Sequence, residues 1–122
     1  MERESKRGRS AYLHLQTIQE NIDRIEQALT NINFEEFSED WTLYSAVERG
    51  IERISEASRR IPEQLKQNYP EIPWKQVAGI GNILRHDYEQ VSLKLIWNTA
   101  RESLPDLEKA IAAMLSELEK FQ

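Results

Sequence analysis

Residues 79–91 read Gly79-Ile80-Gly81-Asn82-Ile83-Leu84-Arg85-His86-Asp87-Tyr88-Glu89-Gln90-Val91, which gathers an amide, a guanidinium, an imidazole and a phenol in a short run. On a helix, Asn82 and His86 stand four apart and share a face. Arg85 points about 100° away from His86, and Tyr88, two steps on, returns to that face only through a frayed helix end. Imidazole titrates near neutrality. With an amide on its face and a guanidinium nearby, it can bind a phosphodiester and exchange a proton with it. A histidine closing a helix also serves as a simple hydrogen-bonding cap, and this reading fits the same spacing. Gly79 and Gly81 suit close helix–helix packing. They lack the strand–turn–helix setting of a dinucleotide phosphate loop.

The rest of the chain narrows the chemistry. At 122 residues it has the length of one domain. It holds no cysteine, which excludes disulfides, thiolate nucleophiles and cysteine-ligated metal. Its two histidines, His14 and His86, lie far apart in sequence, so neither a metal nor another cofactor is expected. No apolar run approaches the roughly 20 residues of a membrane helix, and the N-terminus is too polar for a signal peptide. These bounds predict a soluble cytoplasmic protein. The net charge of -5 is unevenly distributed. Residues 1–9 carry +2, 10–48 carry -7, 49–101 carry +3 and 102–122 carry -3. The middle is therefore the structured stretch most hospitable to a polyanion.

The elements that must position residues 79–91 read as helices. Ala11, Leu15, Ile18, Ile22, Ile25 and Leu29 form one apolar seam. A loop anchored by Phe34 and Phe37 follows, then a helix capped by Ser38 or Asp40 that carries Leu43, Val47, Ile51, Ile54 and Ala57. Gly50 within it points to the close approach of a neighbour. Pro62, Pro70 and Pro73 bracket a short turn. Pro73 opens a third helix, with Trp74, Val77, Ile80, Ile83 and Leu84 on its buried side. Ser92 is placed to cap a fourth helix, which Pro105 must break or kink before Leu107, Ile111, Met114 and Leu118. The expected fold is an all-α, up-and-down four-helix bundle with a kinked or split C-terminal helix. It occupies residues 10–122, behind a flexible basic arm of residues 1–9.

The run IPWKQVAGIGNILRHDYEQV (72–91), followed by LKLIWNTARESLPDLEKAI (93–111), closely resembles the HepT-like branch of the HEPN domains. The upstream AVERGIERISEASRRIPEQL (46–65) resembles that family's second helix, with Ser55-Glu56-Ala57 at its GEA-like ending. The resemblance covers nearly the whole chain, from about residue 11 to 118. It implies a homodimeric bundle encoded beside an MNT-type nucleotidyltransferase. It also implies a toxin that cleaves RNA (tRNA or mRNA) without metal and is neutralised by that partner as antitoxin.

The family motif is an Arg, a short gap, a His, one residue and a Tyr. His86 and Tyr88 match its end, and Asn82 matches the polar residue that follows the motif arginine. The arginine does not match, since counting back five, six and seven from His86 reaches Gly81, Ile80 and Gly79. Arg85 is the nearest substitute, and Arg49 or Arg53 from the second helix are alternative contacts for RNA phosphate. By resemblance, His86 moves the proton, Asn82 and Arg85 steady the phosphoryl oxygens, and Tyr88 accepts AMP from the nucleotidyltransferase. The glycine at the motif position favours one alternative, a catalytically weak helical binding module that serves as partner subunit of a nucleotidyltransferase.

Overall fold

The computed structural model describes residues 2–86 and 89–120, with side chains over 9–86 and 93–120. Every regular element among them is helical: α1 (Glu2–Ala28), α2 (Phe34–Glu39), α3 (Trp41–Ser58), α4 (Glu63–Lys66), α5 (Trp74–His86), α6 (Glu89–Asn98), a π-helical turn (Thr99–Ser103) and α7 (Leu104–Glu119). The fourth long helix of the bundle is thus split, as Pro105 requires. Proline has no N–H for the α ladder. The wider turn just before it is closed instead by a bond from Leu104 N to Thr99 O.

The seam of α1 is buried along its length, from Ala11 at 2% exposure to Leu29 at 1%, because its spacing keeps one stripe turned inward. The helix begins at Glu2, so residues 2–9, set apart by charge in the sequence, continue it; their Glu, Arg and Lys are good helix formers. Asn31 ends the following turn at φ 60, a left-handed conformation that Asn tolerates. The segment expected to be a loop with aromatic anchors is the helix α2. Asn33 accepts from Glu36 N at 2.8 Å while the Glu36 carboxylate accepts from Asn33 N at 3.1 Å, a capping box that nucleates even so short a helix.

Asp40, one of the two caps expected for α3, accepts from Leu43 N at 3.0 Å. Gly50 then meets α1, where an added Cβ would stand 3.0 Å from Ile25 Cδ1. Helix α7 runs antiparallel to α1, since Tyr12 bonds Glu119 at one end and Glu26 meets Glu108 at the other. Phe34, Phe37 and Trp97 form an aromatic cluster with Phe37–Trp97 centroids 5.2 Å apart. Arg101 closes it by stacking 4.7 Å over Trp97 and donating to the Leu29 and Ile32 carbonyls at 2.7 and 2.8 Å.

Two further expectations are corrected. Ser92 lies inside α6, which begins at Glu89, so it does not cap that helix. Ile83 is 50% exposed, although its spacing from Ile80 suggested a buried side chain, because no described residue covers that flank of α5. Trp74 is half-buried against the core, as expected, and so is Trp97, whereas Trp41 is exposed at 71%.

Candidate active site

Helix α5 is fixed before it presents anything. Pro73 precedes it, and the Pro73 carbonyl accepts from Val77 N at 3.0 Å. Trp74 Nε1 donates to the Tyr69 carbonyl at 3.0 Å, tying the start of the helix to the preceding connection. The middle of α5 is held by α3. Ser55, fully buried, donates through Oγ to the Ala78 carbonyl at 2.9 Å and accepts from Gly81 N at 3.3 Å. Gly81 permits this closeness, since a Cβ there would lie 3.2 Å from Ser55 Oγ. The C-terminal end of α3 therefore meets the middle of α5, with Arg59 at Ala78 and Ser55 at Gly81, and the two run antiparallel.

With that face turned to α3, the last two turns of α5 present Asn82, Arg85 and His86 to solvent. Arg85 and His86 occupy the final turn, where cationic or polar side chains suit the negative end of the helix dipole. Asn82 and His86, four apart on α5, are thus both accessible. Tyr88 lies outside the described residues. Arg49 and Arg53 are placed elsewhere. Both line a shallow groove of about 280 Å³ with Asn21, Ile25 and Gly50, between α1 and α3. Arg49 is also paired with Glu52 at 3.3 Å. On α3 they sit about 120° and 160° round the axis from Ser55, so the structure does not bring them to the exposed end of α5.

Arg59 is the residue that spacing did not single out. It reads in the sequence only as a cation ending α3, yet its Nε donates to the Ala78 carbonyl at 3.0 Å. The available signal was its place four residues after Ser55, on the strip of α3 that faces α5.

Beside α5 runs an apolar groove of about 680 Å³, lined by Ile80, Ile83, Leu95 and Leu107 with Lys75 and Glu102 at its rim. Ile83 lies one helical turn before His86, so the groove borders the polar cluster.

His14 and His86 lie on different helices, α1 and α5. Among the described residues, the one cluster with metal-ligand geometry is Asp23, Glu26 and Glu108, whose nearest oxygens lie within 4.8 Å. A carboxyl hydrogen bond with Glu108, then burial, then the charges of Glu108 and Asp23 raise Glu26 to about 7. A proton shared between Glu26 and Glu108 accounts for their closeness. No helix among the described residues is long and apolar enough to cross a membrane.

Comparison with known proteins decides the family. The Ribonuclease HepT-like family matches residues 18–114, from the middle of α1 to most of α7. The chain belongs to the HepT-like family. A protein of Thermococcus cleftensis named "Probable ribonuclease HepT" is 39% identical over 95 residues, which cover 78% of this chain and 86% of that one. A "Putative RNase" of Methanocaldococcus jannaschii is 33% identical over 114 residues, 93% of each chain. No solved structure matches. In this HepT-like chain, the matched region takes in both the α3–α5 contact and the exposed Asn82, Arg85 and His86. Its departure from the motif, Gly81, is the residue against which Ser55 packs.

Proposed function

We propose that this chain is a metal-independent endoribonuclease, the toxin of a toxin–antitoxin pair whose antitoxin is an MNT-type nucleotidyltransferase. The observation that carries the reading is the exposed Asn82–Arg85–His86 cluster at the end of α5 in a HepT-like chain. RNA strand scission needs a base to take the proton of the 2′-hydroxyl as its oxygen attacks phosphorus. It also needs an acid to protonate the departing 5′-oxygen. The His86 imidazole fits either role, a contribution of about 10²- to 10⁴-fold. Asn82 and Arg85 supply donors for the phosphoryl oxygens, whose charge grows as the pentavalent state forms.

One imidazole serves one role at a time, so the reading includes a two-fold dimer that contributes a second His86. The exposed Ile83 and the apolar groove beside His86 support a second copy as the groove's cover. Tyr88, two residues beyond His86, is the proposed AMP acceptor. An adenylyl group there would put a negative charge where RNA phosphate must approach.

The test is cleavage of labelled tRNA and mRNA by the partner-free protein in EDTA, beside His86→Ala. The expected result is cleavage by wild type and a loss of at least about 100-fold in the variant. Because His86 is exposed, its removal leaves stability within about 0.5 kcal/mol. Equal cleavage by both proteins refutes His86 as the catalytic group. Gly81 at the motif-arginine position favours a second reading, a binding module without catalysis. Binding of RNA with no cleavage by folded wild type would establish it.

A further inference from the structure

The exposed surface of α5 includes a cation that does not belong to α5. Arg59 reaches across from the C-terminal end of α3, and its Nε–H···O bond to Ala78 fixes the guanidinium on the neighbouring helix. Its Nη2 lies 3.6 Å from the point where a Cβ on Gly81 would stand. A guanidinium has five N–H groups. Among the described residues, Arg59 makes this one hydrogen bond and no ion pair. Two other arginines of residues 49–60 are engaged differently, Arg49 paired to Glu52 and Arg60 to Glu56. Arg59 is therefore held in place without being neutralised, and its outer edge faces solvent.

Its position relative to the polar cluster follows from helix geometry. The carbonyl of residue 78 is the one toward which the N–H of residue 82 points in an α-helix, so the Arg59 guanidinium lies at the foot of Asn82. Ala78, Gly81 and Arg85 follow one another along a single strip of α5 at i, i+3 and i+7. His86 lies about 7.5 Å further along the axis than Gly81 and about 140° round it, so the α5 side chains nearest the guanidinium are those of Asn82 and Arg85. Side chains on a helix lean toward its N-terminus, so Arg85, on this strip, leans back toward the turn over which the guanidinium lies. A side chain longer than alanine at position 81 would crowd that space.

We propose that Arg59 is a phosphate-binding residue of the α5 surface, holding an RNA phosphate beside Asn82 and Arg85 with the guanidinium edge that lies over Gly81. The anchor on Ala78 presets the planar fork, so little rotamer freedom is lost when phosphate binds. This inference rests on the reading of α5 as an RNA-cleaving surface.

The test exploits a coincidence of side-chain length. Gln Nε2 stands as many bonds from Cα as Arg Nε, so Arg59→Gln keeps a donor for the Ala78 carbonyl and removes the charge together with the two terminal Nη groups. Arg59→Lys keeps the charge and loses the fork. Single-turnover cleavage would be measured for wild type, His86→Ala and both Arg59 variants. The salt dependence of binding would be measured on a single-stranded RNA made uncleavable by 2′-deoxy substitution. Thermal melts would accompany both.

For a phosphate contact, Arg59→Gln should lower kcat/KM by about 10- to 100-fold, the worth of a charged hydrogen bond. The slope of log affinity against log salt should flatten by about 0.7. Arg59→Lys should recover part of both, and the melting temperatures should stay close to wild type. If Arg59 is only a strut between α3 and α5, Arg59→Gln keeps wild-type cleavage and salt slope, and the inference falls. That outcome is separable from failure of the underlying reading, because wild type and His86→Ala would still differ. A wild type that neither cleaves nor binds RNA overturns both.

Discussion

Gly79 and Gly81 sit two residues apart in α5 but face opposite surroundings, so replacing each by alanine tests the α3–α5 contact directly. Within a helix, alanine is favoured over glycine by about 1 kcal/mol. At Gly79 an added Cβ meets nothing within 4 Å, so Gly79→Ala should realise most of that gain. At Gly81 the same atom would stand 3.2 Å from Ser55 Oγ, 3.5 Å from Ser55 Cβ and 3.6 Å from Arg59 Nη2. Ser55 cannot swing aside cheaply. Its side chain is fully buried, and its hydroxyl is committed to the Ala78 carbonyl and the Gly81 amide. Helix α5 must lift instead, stretching a 2.9 Å bond, and such overpacking costs about 1–3 kcal/mol. The net expectation is Gly79→Ala about 1 kcal/mol above wild type and Gly81→Ala about 1 kcal/mol below it. Urea denaturation at one protein concentration should then separate the two midpoints by roughly 1 M at unchanged slope. A Gly81→Ala protein as stable as Gly79→Ala would refute the account of how α3 grips α5.

The carboxyl pair between α1 and α7 makes a pH prediction. Glu26 is raised from 4.5 to about 7, foremost by its hydrogen bond with Glu108, so its contribution to stability is complete below about pH 4.5 and is lost as pH rises through about 7. Because the site is largely exposed, the change should stay under about 1 kcal/mol. Glu26→Gln should flatten the pH 5–8 stability profile, and a profile parallel to wild type would contradict the shared proton. Arg101→Ala strips the Leu29 and Ile32 carbonyls of their 2.7 and 2.8 Å donor and uncovers Trp97. A loss of about 1–3 kcal/mol should appear in thermal melts, with Arg101→Lys recovering only part because a point charge does not replace the planar fork.

The long helices were legible because their seams repeat. Leu15, Ile18, Ile22 and Ile25 are all buried, as their spacing required. Helix α2 was not, since six residues give no period to read, yet Asn33 and Glu36 carried the capping-box signal. Ile83 obeys the buried spacing and is exposed, because periodicity reports what a helix offers and not whether a neighbour covers it. The site divides along the same line. The shared face of Asn82 and His86 follows from a spacing of four on one helix and needed no coordinates. The reach of Arg59 to Ala78 joins positions 19 apart through a backbone carbonyl, and no pattern of side chains encodes it.

The π-helical turn has a consequence for the phase of the chain. Were residues 89–119 α-helical throughout, Ile96, Ala100, Leu104, Leu107 and Ile111 would fall on one stripe. The turn closed by Leu104 N and Thr99 O takes up one residue more than an α turn, which rotates everything after it by about 100°. A single stripe in sequence thereby addresses two neighbours in space, with α6 turned toward α3 and α7 toward α1. The residue count of this segment is therefore a structural quantity in its own right. Closing this turn to an α turn with every residue kept would rotate the α7 seam about 100° away from α1, whereas deleting Glu102 or Ser103 would let the turn close and leave the seam in phase.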